Sequence, residues 1–209
     1  MTTLSRREPF VFATAQYDSG DWDSAPMVPA NVIDAIARYT TLPVAPQGVA
    51  VSLASEAAFA YPLLFFTGHL PVRLTEREAS VLRRYLRRGG MLFVDDHNHD
   101  VDGAFHKTVR EEITRVVGTL VPLPNSHELY RSFFVFETGP PTTSHEMNGW
   151  GDNLVHEQLD AVLMEGRVAV LYSSKDYSSE WSYHPDNKRF LSVDNTRFAV
   201  NIVVYALTR

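Results

Sequence analysis

MLFVDDHNHDVDGAFH, residues 91–106, is the stretch in which an apolar run, a cluster of polar residues and the start of a helical pattern follow one another. Met91 to Val94 is a short apolar run, typical of a buried strand, and the polar residues from Asp95 to Asp100 follow it directly. A helical pattern starts after them. The polar residues are therefore expected at the carboxyl end of a strand, where open α/β sheets bind their ligands. This position makes the segment the first candidate for a functional site.

The residues before this stretch alternate between strand and helix patterns. Apolar, β-rich runs predict three strands, at Phe10 to Ala15, Gly48 to Leu53 and Leu63 to Thr67. Helical spacing of apolar residues predicts two helices, at Pro29 to Thr40 and Thr75 to Arg88. In the second helix, Thr75 and Glu78 form a capping-box pattern, and Gly89-Gly90 supplies a stop. Arginines in its last turn favour an exposed face that complements the helix dipole.

The residues after it predict one more helix, a lid, a hairpin and a last helix. Apolar residues from Phe105 to Val117 recur at helical spacing. Residues 138–153 are rich in Gly, Pro and polar residues, which indicates a long surface loop or lid. Two apolar runs, 159–164 and 167–173, flank Glu165-Gly166 and predict a hairpin. A loop over residues 186–194 then precedes a final helix capped by Asn195 or Thr196.

This order of elements predicts an α/β fold, a three-layer sandwich with a mostly parallel central sheet and a C-terminal hairpin and helix. We expect a disordered N-terminus over residues 1–9 and a single domain over residues 10–209. The chain has 209 residues, of which 44% are hydrophobic, enough for one sizeable core.

Composition excludes several classes of function. The net charge of −6 disfavours nucleic acid as the partner, and no apolar run approaches the roughly 18 residues of a membrane span. The absence of cysteine excludes thiolate zinc sites and cysteine nucleophiles. We expect a cytoplasmic protein, or a periplasmic one if Arg6-Arg7 is the remnant of an export signal.

Imidazoles and carboxylates cluster at two predicted strand ends. His69 follows one strand, and Asp95, Asp96, His97 and His99 follow the next. These groups are good ligands for a divalent Zn, Fe, Mn or Ni ion, so His69, Asp96, His97 and His99 form a candidate metal set. The alternative is structural: the carboxylates cap loop amides and the histidines are hydrogen-bonded or exposed.

Strand alternation limits which members of this cluster can share a site. Neighbouring residues of an extended segment point to opposite sides. Either Asp95 joins His97 and His99, or Asp96 joins Asn98 and Asp100.

Several residues outside the cluster are weaker candidates. Asp21 and Trp22 follow the first strand and could line a ligand pocket, although a half-buried structural Trp is the alternative. Trp181 and His184 are predicted in a loop that could fold over the strand ends. Arg110 and Glu111 could face the cluster or lie on the surface. Adjacent His-Glu pairs at residues 127, 145 and 156 lack the HExxH frame, which makes them weak metal sites.

Four motifs together resemble one known family: SGDW at 19–22, FFTGH at 65–69, RRGGMLFVDDH at 87–97 and NIVVYALT at 201–208. In this order they are similar to the DUF4159 family, bacterial domains related in fold to class I glutamine amidotransferases and so to flavodoxin-like sheets. The resemblance runs from Phe10 to Thr208. It implies that the strand end at Asp95-Asp96-His97 corresponds to the place where the wider fold carries its nucleophile. With no cysteine in the chain, amidotransferase chemistry of that type is excluded.

Two hypotheses for function follow. The first is a ligand-binding or accessory domain that holds a small polar ligand or a protein partner at Asp21, Trp22, His69, Asp95, Asp96 and His97. The second is a metal-dependent hydrolase, in which members of the candidate metal set hold the ion and a neighbouring carboxylate acts as general base.

Overall fold

The computed structural model describes residues 8–183 and 192–209 of the chain. Its strands are β1 Ala13–Gln16, β2 Val49–Ser52, β3 Leu63–Gly68, β4 Met91–Asp96, β5 Val121–Pro122, β6 Asp160–Met164 and β7 Arg167–Ser173. Its α-helices are α1 Val28–Tyr39, α2 Glu76–Arg87, α3 Ala104–Val116, α4 Ser144–Asn148, α5 Tyr177–Trp181 and α6 Ser192–Thr208. Short 3₁₀ helices occupy Glu56–Ala60 and Glu128–Arg131.

The strands form one mixed sheet in the order β2-β1-β3-β4-β7-β6-β5. The strands from β2 to β7 in this order pair in parallel, and β6 is antiparallel to both of its neighbours. Helices α1, α5 and α6 pack an apolar cluster on one side of the sheet, and α2 and α3 pack a second cluster on the other. The predicted three-layer α/β architecture is confirmed.

Local sequence explains the central elements. All residues of β3 and β4 are buried, as expected for parallel strands covered on both faces. Helix α2 begins after Thr75, whose side chain accepts a hydrogen bond from the Glu78 amide, so the predicted capping box is present. The β6–β7 hairpin turns through Glu165 and Gly166, both at positive φ, which is the geometry of a type I′ turn.

Some predicted boundaries were wrong. The segment 138–153 is not structureless, because it contains α4, which a Thr143–Glu146 capping box starts. Trp181 lies buried in α5 and not in a loop. Helix α6 begins at Ser192, so Asn195 and Thr196 lie inside it and do not cap it.

Other predictions are limited by the described ranges. Residues 1–7 of the predicted disordered N-terminus, and His184, lie outside them. Strand β1 begins at Ala13, and Phe10 pairs with Val44 through an isolated bridge. No helix of the described chain combines the length and the apolarity needed to cross a bilayer.

The topology determines where a site can form. Strands β3, β4 and β7 are adjacent and parallel, so Gly68, Asp96 and Ser173 end at the same edge of the sheet. The segments that follow these three residues therefore meet. The segment 143–156, which contains α4 and is hereafter called the lid, packs over this edge through a hydrogen bond from the Asp152 amide to the His99 carbonyl.

Candidate metal centre at the strand ends

Asp95 ties β4 to helix α5. Its carboxylate is completely buried and accepts hydrogen bonds from the Tyr177 amide at 3.1 Å, the Ser178 amide at 2.7 Å and the Ser178 hydroxyl at 2.7 Å. Burial raises its pKa to about 6, and the hydrogen bonds from Ser178 limit the rise. With three donors bound, Asp95 acts in this structure as a buried anchor.

Asp96 differs from Asp95 because only one of its two carboxylate oxygens has a hydrogen-bond partner among the described residues. Its Oδ1 accepts the Asn98 amide at 3.0 Å, whereas its buried Oδ2 has no hydrogen-bond partner among the described residues. Burial raises its pKa to about 7, the hydrogen bond from the Asn98 amide lowers it, and the charge of Asp95 adds to the rise. Burial of the carboxyl therefore extends its protonated form to a higher pH than that of an exposed aspartate.

His69 and His97 form a stacked pair across the β3 and β4 ends. Their ring centroids are 4.2 Å apart. Asp21 binds the His69 ring at 2.8 Å and also accepts the amides of His69 and Leu70, so it fixes the loop after β3. Burial, followed by the nearby charge of His69, lowers the pKa of His97 to about 4.

Trp22 lies apart from these histidines. It is partly buried against the apolar cluster on the α2–α3 side of the sheet. It also lines a cavity of about 450 Å³ with Pro26, Pro29 and Pro46, next to β2. The structure therefore brings Asp21 to the strand-end histidines and places Trp22 at a separate cavity.

His99 belongs to a second group, which the lid completes. One ligand atom each from His99, Asp152 and His156 lies within 4.8 Å of the other two, and within residues 8–183 and 192–209 no other set of three meets this condition. His99 Nε2 is 3.4 Å from Asp152 Oδ1, and His156 Nε2 is 2.9 Å from Asp152 Oδ2. Two imidazoles and one carboxylate are a common ligand set for divalent transition metals.

The environment of the His99 ring is unusual, because three oxygen acceptors surround it. Nδ1 is 2.6 Å from the Ser174 carbonyl, and Nε2 is 3.2 Å from the Leu154 carbonyl as well as close to Asp152. The ring is completely buried. A neutral imidazole carries a single N–H, so it cannot donate to acceptors on both sides.

Buried polar contacts hold the lid in this position. The Lys175 ammonium donates to Glu146 Oε1 at 2.6 Å and to the His156 carbonyl at 2.7 Å. The same Glu146 oxygen accepts the His156 amide at 2.8 Å. Gly151 adopts a φ of +65°, and a Cβ there would lie 2.0 Å from the His99 carbonyl oxygen. The backbone of the lid therefore approaches His99 as closely as glycine permits.

Asp176 occupies the turn between β7 and α5. It has a left-handed backbone, with φ 58° and ψ 56°, and its Oδ1 caps α5 through the Ser179 amide. Its Oδ2 is 3.2 Å from His145 Nε2 of α4. Burial, and next the charge of Asp95, raises its pKa well above the ordinary value.

The predicted metal set is thus divided between two groups. His99 joins the group with Asp152 and His156, whereas His69, Asp96 and His97 are not part of it. The alternation rule did not apply, because β4 ends at Asp96 and His99 has a positive φ of 49°. His97 and His99 consequently point to different partners.

Sequence reasoning missed Asp152 and the role of His156. The sequence pairs His156 with its neighbour Glu157. In the structure Glu157 is exposed, and the His156 ring contacts Asp152 instead. The spacing Asp152-x-x-x-His156 was the available signal. It lies outside any helix, however, so spacing alone could not show that the two side chains meet.

The chain matches the model of one known protein family. The model of the domain of unknown function DUF4159 matches residues 11–207. The chain belongs to the DUF4159 family. No curated protein matches it. The DUF4159 description carries no activity, and the likeness to class I glutamine amidotransferases stays a prediction from the sequence motifs.

Proposed function

We propose that this DUF4159 domain binds a divalent metal ion through His99, Asp152 and His156. The bound ion would help to bind a small polar ligand at the strand ends. The observation that carries the proposal is the set of acceptors around the buried His99 ring: Ser174 O on one side, and Leu154 O and Asp152 Oδ1 on the other.

Proton counting supports a cation at this place. The short contact of 2.6 Å makes Nδ1–H the donor to the Ser174 carbonyl, and the Nε2 lone pair then points toward two oxygens. A lone pair facing oxygen acceptors is repulsive unless a cation lies between them. An Nδ1–H bound to a backbone carbonyl is also how metal-ligating histidines are commonly oriented. The competing explanation is a doubly protonated His99 paired with Asp152.

The donor set suits a borderline ion. Imidazole nitrogens and one carboxylate bind Zn, Fe, Mn or Ni, whereas an all-oxygen site would favour Mg or Ca. All three side chains are mostly or completely buried, with exposures of 0% for His99, 5% for Asp152 and 16% for His156. Burial of the ligands strengthens their interaction with an ion, because water competes less for it.

Zinc titration of untagged protein tests the proposal. We expect one zinc ion per chain by calorimetry, and Asp152→Asn or His156→Ala should weaken binding by more than about tenfold. The matched control is His69→Ala, which removes an imidazole from the other group and should leave zinc affinity unchanged. Equal losses in His69→Ala and His156→Ala, or no zinc binding by folded wild-type protein, would contradict the assignment. In the absence of zinc binding, nitrogen NMR of His99 should reveal the doubly protonated ring.

One observation favours a second candidate function, a metal-dependent hydrolase. The group supplies three side-chain ligands, and catalytic zinc sites typically use three protein ligands and one water. An ion lowers the pKa of such a water to about 7, so that hydroxide is available at neutral pH. Hydrolysis of activated esters or amides by the zinc-loaded protein, lost in Asp152→Asn and kept in His69→Ala, would support it. A zinc-loaded protein that hydrolyses none of them would leave metal-dependent binding as the function.

A further inference from the structure

A cavity of about 280 Å³ opens beside the proposed metal group. This volume lies near the lower end for ligand pockets, which is roughly 300 Å³, so the cavity suits a small molecule. Most of its lining is polar: His106, Arg110, His156, Gln158, Asp160, Tyr172 and Ser174. Two of these residues also build the metal group, because His156 is a proposed ligand and the Ser174 carbonyl holds His99.

Arg110 gives the cavity a positioned cation. Its guanidinium lies 5.1 Å from the centre of the Tyr172 ring, and its Nη1 is paired with Asp160. This places the guanidinium over the face of the ring, within the range of a cation–π interaction. Within the described chain the Asp160 contact is its one side-chain hydrogen bond, and a guanidinium has five N–H donors, so donors remain for a ligand.

The other polar groups of the cavity are held in place by one another. His106 Nδ1 is 2.7 Å from the Tyr172 hydroxyl, and the two rings meet edge to face. Tyr172 is buried in β7, whereas His106 and Arg110 project from successive turns of α3. A rigid strand and a helix therefore present these groups, as an accurately shaped binding site requires.

The charge of the cavity favours an anion. This charge includes the proposed metal ion, so the inference rests on the proposed function. Arg110 and Asp160 cancel each other. A divalent ion held by two neutral imidazoles and one carboxylate contributes one net positive charge. The metal group and the Arg110–Asp160 pair together thus carry one positive charge. A carboxylate matches both the charge and the forked geometry of arginine.

We propose that the cavity binds a small monocarboxylate, whose carboxylate group pairs with Arg110 beside the metal group. Polar substituents of the ligand, such as hydroxyls, would be received by the imidazole, amide and hydroxyl groups of His106, Gln158 and Ser174.

Lactate and its neutral amide, lactamide, are suitable probes because they differ in charge and hardly in size. We expect lactate to shift backbone amide signals of α3 and β7 in NMR titrations of the zinc-loaded protein, and lactamide to shift none of them. Arg110→Gln should weaken lactate binding roughly tenfold or more, since a charge-assisted hydrogen-bonded pair is lost. The matched control is Arg84→Gln, an exposed arginine of α2 that is also paired with one carboxylate, Glu56.

The outcomes separate this proposal from the metal proposal. If zinc binds and lactate does not, or if Arg110→Gln and Arg84→Gln behave alike, the carboxylate site is wrong and the metal site stands. If zinc does not bind but lactate binds the zinc-free protein in an Arg110-dependent way, the metal proposal fails, and carboxylate binding rests on the unpaired donors of Arg110 alone. If neither binds, both are overturned. Arg110→Lys keeps the charge without the fork, and intermediate lactate affinity in this folded variant would confirm the arginine's geometric role.

Discussion

Two histidine groups at one edge of the sheet are built in different ways. The His69–His97 pair comes from adjacent strand ends, and parallel pairing of Gly68 with Asp96 brings the two rings together. The group of His99, Asp152 and His156 exists only because the lid folds back over the same edge. In the first pair, the rings bind Asp21 and Ser24. In the second group, three oxygen acceptors surround the His99 ring.

This difference shows that the members of a conspicuous run of polar residues need not act together. The segment from Asp95 to His99 contributes a buried anchor, a stacked imidazole and one member of the lid-dependent group. A site for an ion or a ligand is favoured where polar groups from distant segments meet and do not satisfy one another's hydrogen bonds. Substitutions that perturb one group while leaving the other intact can therefore separate their roles.

The largest effect is expected from Lys175→Met, which breaks the contacts that hold the lid. Lys175 is 1% exposed and pairs with the buried Glu146 while also donating to the His156 carbonyl. Removing one member of a buried ion pair typically costs about 3–5 kcal/mol of unfolding free energy. Urea denaturation measures this loss. The double variant Lys175→Met, Glu146→Gln should recover part of it, and a double variant no more stable than the single one would refute the pairing argument.

Gly151→Ala should disrupt the lid-dependent group next most strongly. The added Cβ would lie 2.0 Å from the His99 carbonyl oxygen. Gly166→Ala is the matched control, since Gly166 also has a positive φ, but a Cβ added there would meet none of the described neighbours within 4 Å. Both substitutions carry a backbone cost of about 1–2 kcal/mol. Overpacking should add roughly 1–3 kcal/mol for Gly151 alone.

Thermal unfolding and zinc affinity of the two alanine variants are compared directly. Only Gly151→Ala should weaken zinc binding, because only this position touches His99. Equal stability of the two variants would mean that the close approach of the lid to His99 does not exist in solution.

Asp176→Asn tests the buried carboxylate beneath the lid through its pH dependence. Burial raises the pKa of Asp176, so the folded chain keeps a proton that the unfolded chain loses as pH rises above the ordinary aspartate range. The wild type therefore loses stability as pH rises above the ordinary aspartate range. The Asp176→Asn variant does not lose this stability, because asparagine does not titrate. Asparagine also tolerates the left-handed backbone and can cap the helix. The melting temperature of the variant relative to wild type should increase between pH 4 and pH 8.

A surface control accompanies this comparison. Asp102→Asn removes a carboxylate that is 90% exposed and so changes the formal charge of the sequence by the same amount. If the two variants show the same pH profile, the effect reflects net charge and not burial of Asp176.

The smallest effect is expected from His69→Ala. The His69–Asp21 contact is partly exposed, with 41% and 24% of the side chains accessible, and such pairs contribute under about 1 kcal/mol. Asp21 keeps its backbone donors from residues 69 and 70. Denaturant midpoints measure the change. A loss of several kcal/mol would mean that the stacked pair, and not the lid, holds this edge together.

Much of the fold could be predicted because its signals are local. The apolar runs that become β3 and β4, the Thr75–Glu78 capping box and the Glu165-Gly166 turn each act over a few residues. Helix α4 had a signal of the same kind, the Thr143–Glu146 capping box, but it lies among glycines and prolines that indicated a loop. Strand β5, with two residues, is too short to show a pattern.

The lid-dependent group could not be predicted in the same way. Proximity of His99 to Asp152 and His156 depends on the positive φ of Gly151 and on the Lys175 hydrogen bond to the His156 carbonyl. Both are tertiary features. From the sequence, His99 is a candidate ligand and the ends of β3 and β4 are expected to meet, because parallel strands end at a common edge.

Anomalous diffraction at the zinc edge, from crystals of the zinc-loaded protein, tests the central claim most directly. We expect one peak about 2.0–2.2 Å from ligand atoms of His99, Asp152 and His156, with the Ser174 carbonyl still bonded to His99 Nδ1. A peak between His69 and His97, or no ordered zinc beside the intact lid, would contradict it.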